Sequence, residues 1–193
     1  MTSPSARILL ITGSTRQAST NTAALRTAQS VAPHGFDVRL FDGLSTLPAF
    51  NPDDDHDPLP GPVAELRQQI SVADAVLFCT PEYAGALPGS FKNLLDWTVG
   101  GAEMSGKPVG WISVAAPGRG ENALASLETV LGYVGAEVVH GATARLPIRR
   151  DDLDAEGLVV DHDFRVQVIA VLKALAAHPR TGEEPVLPPG LPS

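Results

Sequence analysis

Apolar and polar positions along the chain change their spacing several times. Residues 7–12 carry an apolar run rich in branched side chains that stops at Gly13, and such a run predicts a strand buried on both faces of a parallel sheet. Residues 19–31 instead place apolar side chains at helical spacing, with Ser19 or Thr20 in position to cap the first turn. The pattern therefore predicts a strand followed directly by a helix.

The same alternation continues to residue 177. Further strands are predicted at residues 36–41, 75–80, 109–116 and 136–142, and further helices at residues 63–72, 88–97, 122–134 and 164–177. Alternation of this kind predicts one α/β domain, a doubly wound parallel sheet of five strands with helices on both faces. We place this single domain at residues 1–178 and a proline-rich tail at residues 179–193.

Ligands of doubly wound sheets bind beyond the carboxyl ends of the strands, where the chain order reverses. The loops that follow the first, third and fourth strands are therefore the candidates for a site. The segment 43–61 is a long loop rich in proline and aspartate. Loops of that length in a compact domain usually cover another part of the molecule.

Charge and cysteine content narrow the choice of partners and compartment. The formal net charge of −8 argues against nucleic acid and anionic membranes as partners, because both require a positive surface. Cys79 is the single cysteine, which excludes a disulfide within the chain and fits a reducing cytoplasm. The longest apolar runs are too short for a signal peptide or a membrane span.

The loop after the first strand, GSTRQASTN at residues 13–21, combines hydroxyl groups, Arg16 and Asn21 between a strand end and a helix N-terminus. Free backbone N–H groups, the helix dipole and a guanidinium group favour a dianionic phosphate there. The alternative is a solvated loop with redundant capping residues. The segment has neither G-x-G-x-x-G nor a P-loop lysine, which disfavours a dinucleotide-binding fold and an NTPase.

The loop after the third strand, residues 81–88, leaves backbone donors and acceptors free to face a planar ring, with Tyr83 against one of its faces. A flavin requires an apolar wall and hydrogen bonds along its pyrimidine edge. The alternatives are that Tyr83 only packs against neighbouring side chains and that Glu82 caps a helix or pairs with a cation. Cys79 is expected to be a small buried side chain that fills space in the core.

Two segments carry a resemblance to a known family. Residues 13–21 match the G-S-x-R-x-x-S-x-N signature of the NADPH-dependent FMN reductases, and residues 80–97, TPEYAGALPGSFKNLLDW, resemble their second signature, T-P-E-Y-N-x-S-x-P-G-x-L-K-N-x-I-D-W. Weaker similarity runs from about residue 7 to residue 177. The resemblance implies a flavodoxin-like sheet with strand order 2-1-3-4-5.

The resemblance also implies a set of binding residues. The ribityl phosphate of FMN would be held by Ser14, Arg16, Ser19, Thr20 and Asn21, and the isoalloxazine would be lined by Pro81, Glu82, Tyr83, Ala84 and Gly85. The loop at residues 116–120, with Ala116 and Gly118, would complete the flavin's other side. Tyr83 and Arg119 would position the substrates, although Arg119 is equally consistent with a solvated loop arginine. Ala84 and Ala86 stand where the family has asparagine and serine, so two polar groups are missing.

A member of this family would pass hydride from NADPH or NADH through bound FMN to a quinone, a flavin or a similar small acceptor. The sequence indicates no catalytic protein acid, base or nucleophile, and its histidines lack metal-ligand spacing. The resemblance implies a homodimer or homotetramer, with Phe91 and Trp97 at the interface or packed onto the sheet.

Two other functions stay open at the level of sequence. One is a flavodoxin-type electron carrier, although the first loop lacks that group's T-x-T-G-x-T pattern. The other is an FMN-binding module that has lost catalysis, which the alanines at 84 and 86 would fit. The physiological acceptor and the choice between NADH and NADPH are not determined by the sequence.

Overall fold

The computed structural model describes residues 6–178, so the predicted tail at residues 179–193 lies outside the described residues. A five-stranded parallel sheet has the order β2-β1-β3-β4-β5, which confirms the predicted architecture. The strands are β1 (Ala6–Thr12), β2 (Phe36–Phe41), β3 (Ala75–Cys79), β4 (Pro108–Ser113) and β5 (Glu137–Arg145), and the helices are α1 (Thr20–Ser30), α2 (Gly61–Val72), α3 (Gly89–Asp96), α4 (Glu121–Tyr133) and α5 (His162–Ala177).

The apolar runs of the central strands are continuous because both faces of the sheet are covered. In β1, Ile8 and Leu10 pack with α1 and α5 on one face, whereas Leu9 and Ile11 pack with α2, α3 and α4 on the other. No helix within residues 6–178 combines the length and the apolar character that crossing a bilayer would require.

Strands β4 and β5 end elsewhere than predicted. β4 stops at Ser113 instead of residue 116, and β5 continues to Arg145 instead of residue 142. A break in register accounts for the longer β5, since Val109 pairs with Val138 but Trp111 pairs with Thr143. The extra residues of β5 bring the Ala142 carbonyl against Gly110, where a Cβ atom would collide with it. Side-chain periodicity cannot show such a bulge in advance.

The long loop after β2 contains two short 3₁₀ turns, Gly43–Thr46 and Pro52–Asp54, and is fastened to α3. The Pro48 carbonyl accepts hydrogen bonds from Trp97 Nε1 at 2.9 Å and from Asn93 Nδ2 at 2.8 Å. Phe50 N–H donates to Asn93 Oδ1 at 2.7 Å, and the Phe50 and Trp97 rings meet edge to face at 5.0 Å. The K-N-x-x-D-W end of the second signature therefore holds this loop.

Phe91 and Trp97 are both fully buried within the chain. Of the two alternatives, packing inside the domain is correct, and these aromatic side chains give no support to an oligomer interface. The oligomeric state stays a prediction.

Candidate functional site

A cleft of about 280 Å³ opens at the carboxyl ends of β1, β3 and β4, where the chain order reverses. Gly13 N–H donates to the Cys79 carbonyl at 2.8 Å and joins the ends of β1 and β3 beneath it. The structure brings together here most of the predicted residues: Ser14, Arg16, Ser19, Thr20 and Asn21 from the first loop, Pro81, Glu82 and Tyr83 from the second, and Arg119.

Four predicted residues do not line this cleft: Ala84, Gly85, Ala116 and Gly118. Ala84 and Gly85 form the tip of a tight turn, and Ala116 and Gly118 lie in an exposed turn in which Arg119 N–H donates to the Ala116 carbonyl. Both pairs therefore lie beside the cleft walls.

Five lining residues had not been predicted: Ala18, Thr80, Val114, Ala115 and Arg150. Gly120 also lines the cleft and ends the loop that the resemblance placed beside the flavin. Thr80 opens the second signature and could have been included on that ground. Arg150 had no local signal, because it lies far along the chain and reaches the cleft only after β5 has returned the chain to this edge of the sheet.

The first loop presents donors to the cleft. The Ser14 and Ser19 side chains are buried, and each hydroxyl oxygen accepts a backbone N–H, from Arg16 at 3.3 Å and from Thr22 at 3.4 Å. Each hydroxyl therefore keeps its own O–H to donate. With the first N–H groups of α1 and the Arg16 guanidinium, these groups form a site suited to a phosphate dianion.

The Asn21 side chain is held in place by a hydrogen bond from Cys79. The buried Cys79 thiol donates to Asn21 Oδ1 at 3.3 Å, and burial raises the pKa of the thiol well above its usual range. The thiol therefore stays protonated at neutral pH. As expected, Cys79 is a small side chain that fills space in the core. It also orients the side-chain amide of Asn21 on the cleft wall.

Glu82 caps a helix. Its Oε2 accepts the backbone N–H of Ala123 at 3.1 Å, in the first turn of α4, whose N-cap Gly120 has no side chain to supply that contact. A carboxylate is favoured at this end of a helix dipole. The capping alternative is therefore correct, and the contact joins the loops that follow β3 and β4.

The segment around Tyr83 is a tight turn. Tyr83 and Ala86 exchange two backbone hydrogen bonds of 3.0 Å, and between them Ala84 has φ +50° and Gly85 has φ +75°. Two successive residues of positive φ are typical of a type I′ turn, which favours Asn-Gly. The family's asparagine at this position therefore suits the backbone conformation, and Tyr83, 47% exposed, stands at the cleft mouth.

Replacing Ala84 with asparagine is expected to raise the free energy of unfolding by about 0.5–1 kcal/mol, because asparagine tolerates the left-handed conformation that alanine resists. Urea denaturation measures the change. Ala86→Asn is the matched control, since Ala86 has no positive φ, and its effect should stay within about 0.5 kcal/mol. A destabilised Ala84→Asn variant would contradict the assignment of the turn.

The charge around the cleft is opposite to that of the whole chain. Arg16, Arg119 and Arg150 line it, and none of them forms an ion pair within residues 6–178, whereas Arg67 and Arg145 pair with carboxylates. On a chain of net charge −8, three uncompensated guanidinium groups create a local positive region. The donor set thus fits the phosphate of FMN. Within the described residues, no three potential metal ligands cluster.

Comparison with known proteins agrees with this geometry. A chain from Pseudomonas aeruginosa described as an NAD(P)H-dependent FMN reductase is 34% identical over 88% of this chain and 92% of its own length. A 2-hydroxy-1,4-benzoquinone reductase from a Burkholderia species is 31% identical over 89% of this chain and 94% of its own.

A solved structure shows the same fold. The flavoenzyme NAD(P)H:(acceptor) oxidoreductase from Paracoccus denitrificans superposes with a TM-score of 0.76 at 28% identity, over 89% of this chain and 95% of that one. The sequence profile of the NADPH-dependent FMN reductases matches residues 6–148. The chain therefore belongs to the NADPH-dependent FMN reductase family.

Proposed function

We propose that the chain binds FMN in this cleft and transfers reducing equivalents from NAD(P)H to a small acceptor of the quinone type. The observation that carries the proposal is the meeting of a phosphate-type donor set, from the first loop, with the second-signature loop in one cleft at the switch point of the sheet. Family membership and the names of the similar proteins support it.

The first loop would hold the phosphate. Ser14 and Ser19 donate hydroxyl hydrogen bonds, Thr20 and Asn21 contribute at the N-terminus of α1, and Arg16 adds a guanidinium group that neutralises charge. Because Ser14, Ser19 and Asn21 are buried, their positions are set before a ligand arrives. Preorganised donors of this kind reduce the ordering cost of binding.

The flavin ring would lie between the loops after β3 and β4. Pro81, Val114 and Ala115 provide apolar surface, and the Glu82 contact to α4 fixes the spacing of the two loops. Tyr83 and Arg119 stand where a nicotinamide or an acceptor would approach, and Ala84, Gly85, Ala116 and Gly118 border that approach.

When bound, FMN would supply the redox chemistry that couples NAD(P)H to the acceptor. The chain's own residues bind, orient and neutralise charge. None of them is required as a nucleophile, acid or base. Glu82, the carboxylate on the cleft wall, is engaged with Ala123 N–H.

A quinone is the acceptor class that we propose, because one similar protein is named for a quinone substrate and the half-exposed ring of Tyr83 on the cleft wall offers an aromatic surface to a flat molecule. The resemblance also leads us to propose a homodimer or homotetramer of a single-domain chain. A cytoplasmic location stays a prediction based on composition.

An absorbance experiment tests the function. Purified protein is mixed with FMN, desalted, and treated anaerobically with NADPH or NADH and then with a benzoquinone. We expect retained flavin absorbance that bleaches with the nucleotide and returns with the quinone. Retained flavin that never bleaches would favour an electron carrier or a module without catalysis, and absence of retained flavin would contradict the cofactor assignment.

A further inference from the structure

A second cavity adjoins the cleft. It has a volume of about 320 Å³ and lies between α1 and the segment 150–157, which follows β5. Ala18, Ser19 and Arg150 line both the cleft and this cavity. The cavity and the cleft are therefore immediate neighbours with part of their walls in common.

The cavity carries two guanidinium groups. Arg26 extends from α1 and Arg150 from the opposite wall, and neither forms an ion pair within residues 6–178. Gln17 and Thr22 add neutral hydrogen-bonding groups. Such a set suits a phosphate monoester, which arginine binds through two parallel hydrogen bonds.

Asp154 is the carboxylate on the cavity wall. Its Oδ1 accepts backbone N–H groups from Glu156 at 3.1 Å and from Leu158 at 2.8 Å, within its own loop. These hydrogen bonds to Asp154 Oδ1 stabilise the conformation of the loop. The carboxylate keeps its own charge, but the two guanidinium groups outnumber it, so the charged groups of the lining sum to a net positive charge.

We propose that this second cavity binds the 2′-phosphate of NADPH and makes the chain prefer NADPH to NADH. The inference rests on the proposed function, because it assumes that the reductant acts in the adjoining cleft. NADPH differs from NADH by one phosphate monoester. A chain of net charge −8 repels that extra charge unless local cations offset it, and Arg26 and Arg150 are placed to do so.

Binding of a fragment tests the cavity without turnover. Isothermal titration calorimetry compares adenosine 2′,5′-bisphosphate with 5′-AMP, which lacks only the 2′-phosphate, on the FMN-loaded chain. We expect the bisphosphate to bind about tenfold more tightly or better, and this preference to be lost in Arg26→Ala and partly kept in Arg26→Lys. Equal binding of the two ligands by the unaltered chain would overturn the proposal.

Arg39→Ala is the matched control, because Arg39 is an exposed arginine on β2 that pairs with Asp37 and does not line the cavity. It should keep the full preference for the bisphosphate. If Arg39→Ala lowers the preference as much as Arg26→Ala does, the effect is one of overall charge and the assigned site is wrong.

Steady-state kinetics gives a second readout. The ratio of kcat/KM for NADPH to that for NADH should exceed about tenfold in the unaltered chain and fall about tenfold in Arg26→Ala, mostly through KM for NADPH. Flavin reduction by both nucleotides at equal efficiency would keep the proposed function and overturn this inference. A calorimetric preference without flavin reduction would support the anion site and overturn the function.

Discussion

Replacing Arg67 with methionine is expected to lower the free energy of unfolding by about 3–5 kcal/mol. Arg67 Nη2 pairs with Asp55 Oδ1 at 2.6 Å, with each side chain only 10% exposed, and Arg67 Nε donates to the Trp97 carbonyl at 2.8 Å. Methionine keeps much of the packing volume but leaves a buried carboxylate without its cation, and that unpaired charge accounts for most of the loss. Urea denaturation monitored by tryptophan fluorescence measures it.

Two further variants separate charge from packing. Adding Asp55→Asn to Arg67→Met removes the unpaired charge and should recover at least half of the loss, because a neutral pair avoids the cost of a buried ion. Arg39→Met breaks an exposed pair with Asp37 and should leave the free energy of unfolding nearly unchanged, because water already screens that pair. If the double variant is no more stable than Arg67→Met alone, the loss comes from packing and the electrostatic account is wrong.

Replacing Arg16 with alanine is expected to weaken FMN binding by about 1.5–3 kcal/mol, roughly a 10- to 150-fold rise in Kd. The exposed guanidinium of Arg16 lines the cleft beside Ser14 and Ser19, with no ion pair in the described part of the chain, so its charge is available to the phosphate. Quenching of FMN fluorescence on binding measures Kd. The loss should shrink as salt is added, because the contact is electrostatic.

Arg7→Ala is the matched control for this variant, since Arg7 is an exposed arginine at the opposite end of β1, near Asp74. Its Kd for FMN should match that of the unaltered chain, whereas Arg16→Lys should lie between the two because lysine keeps the charge but not the two parallel hydrogen bonds. Unchanged FMN retention in Arg16→Ala would contradict the assignment of the phosphate site.

The first loop is an example of what can be predicted from residues that are close together in the sequence. Its serines, Arg16 and Asn21 were identified because they follow a strand and begin a helix, and both elements are visible as short-range periodicity. The structure places all of them on one cleft. The sequence could group these residues because they lie within about ten positions of one another along the chain; their role in binding phosphate stays a prediction.

Several other features depend on residues far apart in sequence. Glu82 meets Ala123, the side chain of Asn93 meets Pro48 and Phe50, and Gly110 meets Ala142. The sequence offered a cap or an ion pair for Glu82 but named no partner. The wrong end of β5 has the same origin, because its length depends on a break in the register of its pairing with β4.

The sequence by itself determined the order of strands and helices, the first loop as a candidate site, and the family. These follow from periodicity and from motifs that are contiguous in the chain. Only the tertiary structure decided that Arg150 joins the cleft, that Ala84 forms a turn tip instead of a wall, and that a second cavity lies beside α1. Parallel strands bring these segments together at one edge of the sheet, and local sequence does not encode that meeting.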